Sequence, residues 1–239
     1  MNPYYQKDGI TIYHGDCLEI MPGLGKVDAV VTDPPYGMNL GSHGGANDKR
    51  ARELRRGGYA SYEDTPDNYQ EKVVPAIARA LGMSNRGAVF GPAPSIWGLP
   101  VPDALGGVFI PAACGRSPWG FQNLAPVCFY GVAPDLNLGA KNTTIRASGR
   151  SDPESGHPCP KPLPWMVWVI DLASRPGETI LDPFLGSGTT LVACRKLGRE
   201  GIGIEIEEKY CEIAARRLEA FDSGVPLKEA RAGQRALWG

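Results

Sequence analysis

Thr179-Ile180-Leu181-Asp182-Pro183-Phe184-Leu185-Gly186-Ser187-Gly188-Thr189-Thr190 is the stretch that decides the fold. Its first three residues form a short apolar run of the kind that makes a buried strand. The run empties into a glycine-rich turn, and the pattern that follows predicts a helix over Thr189–Leu197. Gly201–Ile204 is a second apolar run, ending at Glu205. A helix is expected over Glu208–Ala220, with Tyr210, Ile213, Ala214 and Leu218 on one face. Strand, helix, strand and helix in succession imply parallel strand pairing, because each helical crossover returns the chain to the same end of the sheet.

Working upstream, Pro162 and Pro164 open a helix that runs through Trp165, Met166, Val169 and Ile170. Ile10–Tyr13 reads as a short edge strand leading to His14-Gly15-Asp16, and Asp28–Thr32 as a second strand ending at Asp33-Pro34-Pro35-Tyr36. Residues 37–62 are Gly-rich and carry the basic run Lys49-Arg50-Ala51-Arg52-Glu53-Leu54-Arg55-Arg56, which reads as a long mobile loop. Thr65 and Pro66 form a helix start, followed by Val73, Val74, Ile77 and Leu81 at helical spacing. Gly87–Phe90 is a further strand. Residues 91–150 are irregular, with strands at Val108–Ile110 and Val127–Tyr130; the tail after Asp222 shows no strong pattern, and no repeat is visible.

The 239 residues suit one α/β domain, and 42% hydrophobic with 21% charged residues is ordinary for a globular protein. A net charge of -1 announces no polyanion partner, so contact with nucleic acid must come from a local basic patch. The first residues lack the basic and apolar regions of a signal peptide, and no apolar run reaches the length of a membrane span. Six cysteines without a Cys-x-x-Cys pair, and three histidines, point to reduced thiols in a cytoplasmic protein and to no metal site.

Two turns carry the chemistry. Asp33-Pro34-Pro35-Tyr36 puts a carboxylate, a backbone free of two N–H groups and an aromatic ring at a strand's carboxyl end, where α/β sheets bind ligands. Asp33 and a proline carbonyl can accept from a ring amino group while Tyr36 stacks on the ring. In the second turn Gly186 and Gly188 allow close backbone approach and open a helix with free N–H groups. It lacks the Gly-Lys-Ser/Thr of a triphosphate loop and the Gly-x-Gly-x-x-Gly of a dinucleotide loop. Glu205, about 20 residues further on, is placed to take both hydroxyls of a ribose. A ribose acceptor without a pyrophosphate loop fits S-adenosylmethionine.

On these residues the chain resembles the DNA amino-methyltransferases of the adenine-N6/cytosine-N4 kind. Asp33–Tyr36 is similar to that family's catalytic motif, Asp182–Thr190 to its cofactor motif and Gly203-Ile204-Glu205 to its acidic ribose-binding strand. Asp16, beside Cys17, matches the acid that meets the cofactor's adenine, and His157-Pro158-Cys159-Pro160-Lys161-Pro162 resembles the His-Pro-x-x-Lys-Pro segment. The match covers residues 8–36 and 157–220. Catalytic motif first and cofactor motif last is the permuted order of the beta class. Enzymes that methylate RNA, small molecules or protein glutamine with a similar Pro-Pro-Tyr motif run in the reverse order.

The resemblance implies a Rossmann-like methyltransferase fold, with a seven-stranded, mostly parallel sheet and helices on both faces. It implies one catalytic domain over residues 1–239, with the basic loop at 37–62 and a target-recognition insertion at 91–150. Asp33, Pro34, Pro35 and Tyr36 would be catalytic. Asp16, Cys17, Lys161, Asp182, Phe184, Gly186, Ser187, Gly188, Thr189, Glu205 and Ile206 would hold S-adenosylmethionine. Lys49, Arg50, Arg52, Arg55 and Arg56 would meet the phosphates of double-stranded DNA. The reaction implied is methyl transfer to the exocyclic amino nitrogen of a flipped base. Asp33 favours adenine N6 over cytosine N4, the alternative, and an inactive DNA-binding subunit is a more distant one. A homodimer and a cognate restriction endonuclease are compatible partners.

Overall fold

The computed structural model describes residues 2–38, 62–92, 95–112, 115–117, 120–134, 141–148 and 161–224. The basic run 49–56, the His157–Pro160 segment and the tail beyond 224 lie outside the described residues. The amino-terminal strands are β1 (Tyr5–Lys7), β2 (Ile10–His14), β3 (Val27–Thr32) and β4 (Ser84–Phe90). After them come β5 (Ala104–Phe109), β6 (Gly115–Ser117), β7 (Gly120–Gln122), β8 (Leu124–Tyr130) and β9 (Thr144–Arg146). The last two are β10 (Thr179–Asp182) and β11 (Glu200–Glu205).

The main sheet has the order β1-β2-β11-β10-β3-β4-β8-β5-β9, and β6 and β7 form a separate two-stranded sheet. Its centre, from β2 to β4, is parallel throughout, as the strand–helix alternation requires. β8 then pairs antiparallel with β4 and β5. The catalytic-type turn follows β3 and the glycine turn follows β10, far apart in sequence, yet Ile180 lies beside Ala29 and Leu181 beside Val30. The permuted order is therefore closed up in space.

The sheet has nine strands among the described residues rather than the expected seven. One addition is β1, which turns back on β2 through Asp8-Gly9, both with positive φ. Asp-Gly is the residue pair that such a two-residue hairpin favours, so Ile10–His14 is not the edge strand that its sequence suggested. The other is β9, beside β5. A Cβ on Gly106 would stand 1.9 Å from the Thr143 carbonyl oxygen, so glycine is what lets that segment approach. Three strands of 91–150, β5, β8 and β9, thus belong to the main sheet.

Alternating side chains divide the core. Ala29 and Val31 of β3, and Ile180 of β10, face one way; Val30 and Leu181 face the other. The first face is covered by α4 (Leu163–Ala173), α5 (Thr189–Leu197) and α6 (Glu208–Ser223), through Met166, Leu191, Ala214 and Leu218 among others. Truncating fully buried Leu218 to alanine costs about 2–5 kcal/mol. The second face is covered by α1 (Cys17–Ile20) and α3 (Val74–Gly82), through Ile20, Ala76 and Ala80.

Thr65 caps α2 (Pro66–Asn68) as expected, its hydroxyl accepting from the Asn68 N–H at 3.2 Å. A π-helical turn, Tyr69–Val73, then leads into α3. Pro75 stands in the first turn of α3 with no N–H to return and a ring that crowds the preceding turn. The wider π turn accommodates it.

Candidate active site

Four parallel strands end side by side, each at an acid or within two residues of one: β11 ends at Glu205 and β10 at Asp182, while Asp16 follows β2 and Asp33 follows β3. The strand register makes this row. Glu205 pairs with His14, the Gly15 N–H donates to the Glu205 carbonyl at 2.9 Å, and Asp182 pairs with Gly203.

Asp33 is half-buried and has donors on both sides. Lys161 Nζ donates to its carboxylate at 2.7 Å and to Tyr36 Oη at 3.0 Å, and Tyr36 Oη donates to Asp33 Oδ1. Pro34 is buried and Pro35 half-buried. The turn's exit is held from below. The Gly37 N–H donates to Asp64 at 2.7 Å, Ser95 Oγ donates to the Tyr36 carbonyl at 2.8 Å, and buried Tyr69 donates to the Ser95 carbonyl at 2.7 Å. Asp64, Ser95 and Tyr69 were not singled out in the sequence, since each serves only through the backbone it holds.

Asp182 is 2% exposed and saturated by its own surroundings. Thr32 and Thr190 hydroxyls donate to its two oxygens at 2.6 and 2.5 Å, and the Phe184 N–H adds a third bond at 3.1 Å. Desolvation pushes its carboxyl up to about 6, against the pull of these donors. Glu205 is also buried. Its oxygens accept from the Gly186 N–H at 2.7 Å and the Glu207 N–H at 2.9 Å, while burial pushes the carboxyl up to about 7.

The glycine turn is held from behind by a residue that sequence reading passed over. Arg217 of α6, 6% exposed, donates through Nη1 to the Ser187 carbonyl at 2.6 Å, to Ser187 Oγ at 3.1 Å and to Thr189 Oγ1 at 3.0 Å. The signal was present: Arg217 sits on the apolar face of its helix, between Ala214 and Leu218. Gly188 has φ 82°, and a Cβ there would meet Ala214 Cβ at 2.6 Å. Glycine is thus required for packing as well as for conformation.

The remaining candidates fall along the same edge. Asp16 caps α1, accepting from the Leu18 N–H at 2.8 Å, and Cys17 is buried in the first turn of that helix. Burial pushes the thiols of Cys17 and Cys211 up to about 12, so both stay protonated at neutral pH. Ile206 is half-buried, with its carbonyl 3.2 Å from His14 Nε2. Lys161 joins the Asp33–Tyr36 turn rather than Ser187 and Thr189, with which the sequence grouped it. Among the described residues no cluster of His, Cys, Asp or Glu could hold a metal ion.

A permuted pair of strand-end turns, one acidic and aromatic and one glycine-rich, defines a methyltransferase-type α/β site, and comparison with known proteins agrees. A family model described as DNA methylase, of the N6/N4 type, matches residues 95–216, just over half of the chain. The chain belongs to the N6/N4 DNA methylase family. The type II methyltransferase M2.DpnII of Streptococcus pneumoniae is 48% identical over 64 residues, 27% of this chain and 24% of that protein. M.ScaI of Streptomyces caespitosus is 42% identical over 87 residues, 36% of this chain and 26% of that protein. The match thus spans about a quarter of the length of these curated relatives. The M1.HpyAVI–SAM complex shares the fold with a TM-score of 0.65 and 24% identity, covering 87% of this chain and 98% of that one. PvuII DNA methyltransferase (cytosine-N4-specific) does so with a TM-score of 0.65 and 14% identity, covering 96% and 93%.

Proposed function

We propose that the chain transfers a methyl group from S-adenosylmethionine to the exocyclic amino nitrogen of a flipped DNA base, adenine N6 first and cytosine N4 second. The observation that carries this reading is the adjacency of the two turns on β3 and β10, joined by the 2.6 Å bond from Thr32 to Asp182. A methyl donor on one turn and an amino acceptor on the other would meet in line.

The residues present fit the cofactor. Each Glu205 oxygen keeps a lone pair beyond its one backbone donor, enough for a ribose diol. Asp16 stands just beyond the next strand, at the cap of α1, for the adenine, and the N–H groups at the start of α5 suit a carboxylate. When bound, S-adenosylmethionine supplies an electrophilic methyl carbon on a positively charged sulfur. Asp33 and the Pro34 carbonyl accept the two amino hydrogens, drawing the nitrogen lone pair out of the ring and toward that carbon. Asp33 takes up, directly or through water, the proton shed as the N–C bond forms and the C–S pair returns to sulfur. Tyr36 supplies the stacking face for a base taken out of the duplex.

The same reading assigns Lys49, Arg50, Arg52, Arg55 and Arg56 to DNA phosphates. It extends to the cytoplasm as compartment, with a second copy or a cognate restriction endonuclease as partners. No helix among the described residues is long and apolar enough to cross a membrane. The test is incubation with labelled S-adenosylmethionine and unmethylated plasmid DNA, followed by nucleoside analysis. Label in N6-methyldeoxyadenosine supports the reading, label in N4-methyldeoxycytidine selects the second base, and unlabelled DNA overturns both.

A further inference from the structure

Asp33, the acceptor assigned above to a base's amino hydrogens, already holds a donor. The Lys161 ammonium lies 2.7 Å from its carboxylate and 3.0 Å from Tyr36 Oη. It also sits 5.3 Å from the Tyr36 ring centroid and 5.6 Å from that of Phe90. The two charged side chains are 17% and 23% exposed, so water screens the pair only in part. One cation therefore occupies the carboxylate that the amino group of a base would use, and it sits at the hydroxyl edge of the Tyr36 ring.

This resting pair opposes the reacting arrangement electrostatically. The amino nitrogen gains positive charge as the N–C bond forms, and a bare Asp33 carboxylate stabilises that charge. A carboxylate neutralised by an ammonium does so poorly, and the ammonium repels the nitrogen besides. We propose that Lys161 is an internal stand-in for the target's amino group, a latch that fills the Asp33 clamp in DNA-free protein and is displaced when the base arrives. The displacing group rests on the methyltransferase reading given above. A flipped thymine has no amino group to replace the ammonium's bonds to Asp33, whereas adenine and cytosine do. The latch therefore filters bases before any chemistry. Its unbranched stem lets the charge swing away without backbone movement.

Lys161→Met keeps the stem and removes the charge. It should lower the KM for unmethylated plasmid DNA by about three- to tenfold, because the clamp is no longer partly filled, with kcat not reduced and the KM for S-adenosylmethionine unchanged. Lys161→Arg, which keeps the charge, should retain the wild-type KM for DNA to within about twofold. A raised cofactor KM with an unchanged DNA KM would overturn the latch in favour of a cofactor-carboxylate contact. A fall in kcat would overturn it in favour of a direct part in transfer. Acetylation of Lys161, read by mass spectrometry in DNA-free protein, tests the pair without activity. Asp33→Ala should raise it several-fold, and equal acetylation in both proteins contradicts the latch. If acetylation differs but wild-type protein labels no DNA, the Lys161–Asp33 pair stands and the methyltransferase reading falls.

Discussion

Asp33-Pro34 and Asp182-Pro183 are the same dipeptide at the ends of adjacent parallel strands, and their surroundings are opposite. The Asp33 side chain keeps 23% exposure and meets an ammonium and a phenol, both groups that can move away. Asp182 is 2% exposed, and two hydroxyls and a backbone N–H occupy it. The first acid is presented and the second is consumed in support. A motif can name both residues, but only their neighbours tell which one works on a substrate.

This contrast predicts crossed effects, the largest at Asp33. Asp33→Ala should cut methyl transfer by about a thousandfold or more, with cofactor affinity unchanged and Tm lowered by only a few degrees. Transfer assays, titration calorimetry and thermal melts read the three quantities. Asp182→Ala should do the reverse. It leaves Thr32, Thr190 and the Phe184 N–H unpaired in the core and should cost about 3 kcal/mol, or roughly 6–12 °C in Tm. An unchanged melt for Asp182→Ala would erase the distinction.

Tyr36→Ala sharpens the presenting side. Affinity for DNA should fall about tenfold in a binding titration, with little change for the cofactor. Arg217→Lys sharpens the supporting side. It keeps the charge but loses the reach of the guanidinium Nη1 that meets three oxygens behind the glycine turn, so cofactor Kd should rise about fivefold and leave DNA affinity unmoved.

The smallest expected effect is a pH dependence from Glu205. Burial raises its carboxyl from 4.5 to about 7. Ribose hydroxyls bind the ionised form better, so cofactor affinity should rise with pH through about 7 and then level. Stability runs the other way, because the folded protein holds a proton that the unfolded chain releases. It should decline as pH rises from about 4.5 to 7, read as a falling Tm. Glu205→Gln should flatten both curves.

The fold was legible where local rules and burial agree. The helix expected over Thr189–Leu197 has those bounds in the structure, and the glycine turn and Glu205 sit at strand ends as read. Thr65 caps its helix as its type and position require. The missed strands were three residues long, too short for a period-two pattern, although Asp8-Gly9 held a hairpin signal. Side-chain partnership was much less legible. Residues grouped as cofactor contacts divide into those bonded behind the glycine turn, as with Ser187 and Thr189, and one bonded to Asp33, Lys161. Spacing places a residue at an edge; the direction in which its bonds point depends on what packs behind it.

The central claim is that the Asp33 turn delivers an amino group to a methyl donor held by the Asp182–Thr190 turn. Its most direct test is transfer from labelled S-adenosylmethionine to unmethylated duplex DNA by wild type and Asp33→Ala side by side, with cofactor binding measured on both. The account predicts label on a base amino nitrogen with wild type, none with the variant, and equal cofactor affinity. Label from Asp33→Ala at the wild-type rate, or DNA left unlabelled by wild type, would contradict it.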